Sequence, residues 1–176
     1  MNILGTTVIG FITGTVVSFL CVSLFSSLAK KEVKKSEKLM DENSFTIRHV
    51  KPIFWLGVID VIFFGAAIVL MTIFPNDTAH WVIYLIFSFF AALGFLLIFS
   101  YRRWEVKIEN NLITYTPLIG EKKSFTFENI TRVKYKRNNQ KITVFNESKK
   151  LFSIDFFCIG GNVFASLLKK KTNCQF

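Results

Sequence analysis

Read from its first residue, the chain divides into three long apolar runs, a short basic stretch, and a tail in which apolar and polar positions alternate. No charged side chain precedes Lys30, so residues 1–29 make the first run. As a helix, residues 3–29 would rise roughly 40 Å, more than the ~30 Å hydrocarbon core of a bilayer, which implies tilt or a protruding end. The second run, residues 53–74, is interrupted only by Asp60, and the third, residues 81–101, carries no charge. Runs of this length exceed most buried core helices and predict three transmembrane helices. A cleaved signal peptide does not fit the first run, which lacks a positive n-region and a small-x-small site before its charges.

After Tyr101 the period changes to two. Trp104, Val106 and Ile108 share one side of a strand. The alternation recurs at Ile113/Tyr115, Phe125/Phe127, Val133/Tyr135, Ile142/Val144 and Phe152/Ile154/Phe156. Asn110-Asn111, Asn138-Asn139 and Asn146-Glu147-Ser148 supply turns, because Asn tolerates positive φ. Gly160-Gly161 halts the strands, and Asn162 suits the N-cap of a short helix. Val163, Phe164, Leu167 and Leu168 form its apolar face, and Lys169–Lys171 complement its C-terminal dipole. The C-terminal part thus supplies six strands of a small barrel or sandwich, and a candidate for one more lies upstream. Residues 44–51 alternate Phe45 and Ile47 against Thr46 and Arg48, and are predicted to be the first strand. The second and third spans would then be a hairpin inserted into the β domain.

The expected organisation is therefore a span at 1–29, a basic linker at 30–43, a candidate strand at 44–51, a membrane hairpin at 53–101, and a β domain at 102–176. Composition agrees: of 176 residues, 51% are hydrophobic and 21 are phenylalanine, which excludes a large soluble enzyme and a disordered chain. Charge sets direction. All 22 lysines and arginines fall between Lys30 and Lys51 or after Tyr101, while the turn at 75–80 carries only Asp77. By the positive-inside rule the linker and β domain are cytoplasmic, with the N-terminus and that turn outside. Trp55 and Trp104 suit the inner aromatic belt and Trp81 the outer. Cys21, Cys158 and Cys174 are too widely spaced for a disulfide framework or a metal knuckle.

Four features could carry function. Thr6, Gly10, Gly14 and Ser18 recur every four residues, a small-residue seam for helix packing against the other spans or a second copy of the chain. Gly57, Gly65, Ser88 and Ala92 are the candidate counterparts. Asp60 lies roughly 10 Å inside its span, where an ionised carboxylate costs up to ~2.5–3.5 kcal/mol. It is expected to be neutral or paired with Arg102, Ser100 or Tyr101. A proton or ion pathway is the sharper reading, and would make the chain a small transport or pore-associated subunit. Arg132, Lys134, Lys136, Arg137, Lys141, Lys149 and Lys150 form a basic patch. It is either a solvated strand face or a surface for a partner or anionic lipid, where each cation contributes ~1 kcal/mol. Nucleic acid is not expected, since Tyr135 should face the core and leave no stacking platform. The fourth feature is an absence. His49 and His80 fall on opposite sides of the membrane, and the sequence has no HExxH, GxSxG, phosphate loop or paired-Cys motif. The expectation is no enzyme, no catalytic residue, no metal and no cofactor.

The order FTIRHVKP, two spans, WEVKIENNLITYTP, KSFTFENITRVKY, ITVFNESKKLFSID and GGNVFASLLKK resembles small bacterial membrane proteins with a PH-like domain of unknown function, over residues 44–171. The resemblance implies a PH-like fold in the bacterial cytoplasmic (inner) membrane and supplies no activity. Phosphoinositide-binding versions of the fold carry a basic cluster around the first hairpin. Here Glu109-Asn110-Asn111 stands there, so inositol-lipid recognition is not expected. The resulting expectation is a multi-pass membrane protein whose cytoplasmic PH-like domain binds a protein, a peptide or itself.

Overall fold

The alternating segments become seven strands, and the apolar runs from residue 51 to 103 become two helices. In this computed structural model the described residues are 23–41, 44–74, 81–136, 141–155 and 158–172. The Thr6–Ser18 seam, most of the first apolar run, and Arg137 lie outside them.

Strands β1 (Ser44–Arg48), β2 (Glu105–Glu109), β3 (Leu112–Thr116) and β4 (Lys123–Thr126) form one antiparallel sheet in chain order. Strands β5 (Arg132–Lys136), β6 (Lys141–Asn146) and β7 (Lys149–Asp155) form a second. Residues 44–48 thus pair as the first strand, Phe45 opposite Ile108 and Ile47 opposite Val106. Residues 49–51 do not continue it: Pro52 fixes a helix start, and Lys51 already belongs to the next helix. Asn110 (φ 56°) makes the β2–β3 turn, as its tolerance of the left-handed region predicts. Phe127, expected in a strand, enters a 3-10 turn at Phe127–Asn129 instead, since Asn129 Oδ1 accepts the Thr126 N–H and closes the chain early.

The inward positions of both sheets meet over one core. Phe152 is its centre, fully buried between Tyr115, Phe125 and Phe164 at ring distances of 5.5, 5.5 and 5.8 Å. Helix α4 (Gly161–Lys171) closes this core with Phe164, Leu167 and Leu168. Its N-cap is Gly160 at φ 84°, not Asn162. Only glycine takes that backbone cheaply, and a Cβ there would press on Phe45, Ile47 and Met40 at 3.3–3.4 Å.

Two helices, α2 (Lys51–Ile73) and α3 (Trp81–Arg103), are long and apolar enough to cross a membrane. They sit in the chain between β1 and β2, two neighbouring strands of one sheet. Upstream, residues 23–37 are helical (α1), so the boundary expected between a span ending at residue 29 and a linker is not a break. Helix α1 buries Ala29 and Val33 against Val50 and Ile159. Its two glutamates reach other helices: Glu32 Oε2 accepts the Lys51 N–H at the start of α2 (2.9 Å), and Glu37 accepts both the backbone N–H (3.0 Å) and side-chain amide (2.9 Å) of Asn162. Neither Val50 nor Gly160 offers a side-chain cap, so these carboxylates satisfy the orphan donors and match the positive helix ends.

Candidate functional site

The strand register decides what meets at the junction of helices and sheets. Arg48 opposite Glu105 is the last β1–β2 pair. One step further the chain sets His49 beside Trp104, stacked at 4.5 Å and 27°. The imidazole is bracketed on both nitrogens. Nδ1 lies 3.6 Å from Cys158 Sγ, and Nε2 lies 3.2 Å from Ser100 Oγ on the last turn of α3. Burial pushes the Cys158 thiol up to about 12, so it is protonated at neutral pH. Thiol and hydroxyl can each donate to or accept from the neutral ring, and its tautomer sets which nitrogen carries the proton. Burial also lowers the His49 pKa, outweighing the opposite pull of Asp155, which keeps the ring neutral. A buried thiol held protonated is a poor nucleophile. The cluster is a tie between β1, α3 and the segment leading into α4. Arg48 and Ile159 add two backbone hydrogen bonds (3.3 and 2.9 Å) across the same gap.

Asp60 sits elsewhere than expected. Ser100 is engaged by His49, and the Arg102 guanidinium lies over the Phe54 ring at 5.9 Å. Asp60 instead faces Gly94: a Cβ on Gly94 would stand 2.8 Å from its Oδ2. In antiparallel helices Arg102 is then about two turns away, roughly 12 Å along the axis, too far for a pair. The helix seam itself is Gly57 against Gly94, the buried positions of α2 and α3. A Cβ on Gly57 would meet the Gly94 carbonyl oxygen at 2.7 Å. Gly65 has no described atom within 4 Å and Ala92 is exposed, so neither lies in the α2–α3 contact, and the Thr6–Ser18 stripe they are expected to meet lies outside the described residues.

The basic patch resolves into one sheet face. Arg132, Lys134 and Lys136 alternate outward along β5, opposite Phe145, Thr143 and Lys141 of β6. A register shift beside Phe145 turns Lys150 to the same face, directly opposite Phe145. Arg132 and Lys134 lie 4.8 and 5.8 Å over the Phe145 ring. Lys149 pairs one step away, with Asn146, and departs from this face. Lys136 directly opposes Lys141, a pairing that costs stability; Asp155, 3.9 Å from Lys141, relieves part of it. Tyr135, expected in the core, is 46% exposed at the end of its strand.

Among the described residues no cluster of three or more His, Cys, Asp or Glu side chains could hold a metal ion. A model of a family of unknown function, DUF6560, matches residues 4–173. The chain belongs to that family. Neither the curated proteins nor the solved structures yield a match.

Sequence reasoning passed over two parts of this DUF6560 chain. The His49–Trp104 stack was available in principle, because it extends the β1–β2 register by one residue. Cys158 and Ser100 were not, because loop and helix-end positions have no period. Gly94 escaped because it falls two residues past Ala92, off the four-residue spacing of Ser88 and Ala92.

Proposed function

We propose that this chain is an integral membrane protein that fixes a PH-like interaction domain at the cytoplasmic surface of a bacterial inner membrane, where it binds a protein, a peptide or a second copy of itself. The observation that carries the reading is the insertion of α2 and α3 between adjacent strands β1 and β2. A spanning hairpin spliced into a sheet holds the domain by two short connections, braced by the His49 cluster, so its orientation toward the bilayer is set. Sheets of four and three strands with a helix after the last strand support a PH-like fold. The outer face of the second sheet is the docking surface. It offers Arg132, Lys134, Lys136 and Lys150 around the half-buried Phe145 ring, which suits an acidic partner surface with one apolar contact. Holding Lys136 against Lys141 is a cost that binding, rather than folding, explains.

A photo-crosslinking amino acid at Lys134 in native membranes tests this. Discrete adducts that disappear on Arg132→Glu with Lys150→Glu support the docking face, and their absence at that site refutes it. Asp60→Asn separates the transport-subunit alternative: anchoring predicts unchanged adducts and ion flux, whereas a transport subunit predicts lost flux with normal assembly.

A further inference from the structure

The β3–β4 loop ends in an exposed isoleucine with no role in the fold. Ile119 is 83% exposed, among the most exposed large apolar residues described, while the domain it belongs to buries its other alternating isoleucines. Gly120, its neighbour, is tied down: its carbonyl accepts a hydrogen bond from Arg103 Nη2 at 2.9 Å. Arg103 is the last residue of α3, and its guanidinium folds back over the Phe99 ring, 5.7 Å away and one turn nearer the middle of that helix. The loop tip therefore hangs level with the final turn of α3, not beyond it. Glu121 and Lys122 complete the loop, Lys123 opens β4, and all three are exposed.

The geometry points to the β3–β4 loop as a wedge in the inner leaflet, with Ile119 entering the boundary of acyl chains and headgroups and Lys122 and Lys123 meeting anionic phosphates. This rests on the membrane-spanning reading of α2 and α3, since the height of the loop is fixed by the end of α3. An aliphatic side chain at that depth leaves water, and lysines just above it face the negative leaflet, the arrangement of interfacial anchors. It also gives the β domain a third point of attachment, away from the β1–α2 and α3–β2 connections.

The test uses the full chain in vesicles of phosphatidylcholine and phosphatidylglycerol, with Cys21→Ser and Cys174→Ser. Cys158 stays, because its buried, protonated thiol does not take label. A polarity-sensitive fluorophore is placed at Ile119→Cys, at Ile62→Cys within α2, and at Asn111→Cys on the far β2–β3 turn, and quenched by doxyl-labelled lipid. The inference predicts that positions 62 and 119 emit blue-shifted light and lose most of it to the lipid quencher, while 111 does neither. Quenching at 62 with position 119 as wet as 111 would overturn the wedge and leave the spanning reading intact. No quenching at 62 would overturn both.

Discussion

The helical hairpin and the β domain use apolar residues in opposite ways. In the β domain the largest side chains are inside: Phe152, Phe164 and Ile108 are essentially sealed from solvent. In α2 and α3 the only buried positions are glycines, while Ile62, Phe63, Phe89 and Phe95 are 61–65% exposed. Water drives the first arrangement by expelling apolar area. It cannot produce the second. Helices that approach through Gly57 and Gly94 gain close backbone contact and dispersion, the packing suited to a lipid surround where apolar surface has no reason to hide. On the membrane-spanning reading proposed above, one chain carries two solvents' rules, with the boundary at His49–Lys51 and Arg103–Trp104.

Breaking each rule should give unequal penalties. Phe152→Ala is expected to cost the β domain about 3–5 kcal/mol, while Phe63→Ala on the outside of α2 changes unfolding by less than ~0.5 kcal/mol. Chemical unfolding in detergent micelles checks both, and equal penalties would erase the contrast. Next in size, Gly57→Leu must displace the Gly94 backbone and is expected to cost about 1–3 kcal/mol, read as a lower melting temperature of the hairpin. Gly65→Leu, with no described atom within 4 Å of its added side chain's first carbon, should melt like the parent.

Smaller again is Glu37→Ala, which removes both hydrogen bonds to Asn162. A loss of about 1–2 kcal/mol is expected, with faster amide exchange confined to the first turn of α4. The smallest effect belongs to His49. Its pKa is lowered in the fold, so below pH 6.5 the unfolded chain binds the proton first and stability falls as pH drops toward the folded pKa. The slope cannot exceed about 1.4 kcal/mol per pH unit for one group. His49→Gln should flatten that part of a stability–pH curve.

The strands were legible because a half-buried strand must alternate, and Phe45/Ile47 obeyed that rule despite lying upstream of two apolar helices. Helices α2 and α3 were legible from length alone. The caps were not: Glu32 and Glu37 look like ordinary charges in a basic stretch, and only the path of α1 across the domain brings them to α2 and α4. Asp60 was misplaced because antiparallel helix register, unlike strand register, cannot be counted from a turn of unknown shape. The basic patch was visible in composition, but the bulge that brings Lys150 into it and leaves Lys149 out breaks the period that would have revealed it.

On the proposed reading, α2 and α3 cross a membrane and hold the β domain on its cytoplasmic side. Labelling with a membrane-impermeant maleimide tests it most directly, using Asp77→Cys between the two helices and Asn111→Cys on the β domain, in intact spheroplasts with Cys21 and Cys174 replaced by serine. The account predicts that position 77 reacts in intact spheroplasts and position 111 only after lysis. Reaction of position 111 in intact spheroplasts, or of both positions only after lysis, would contradict it.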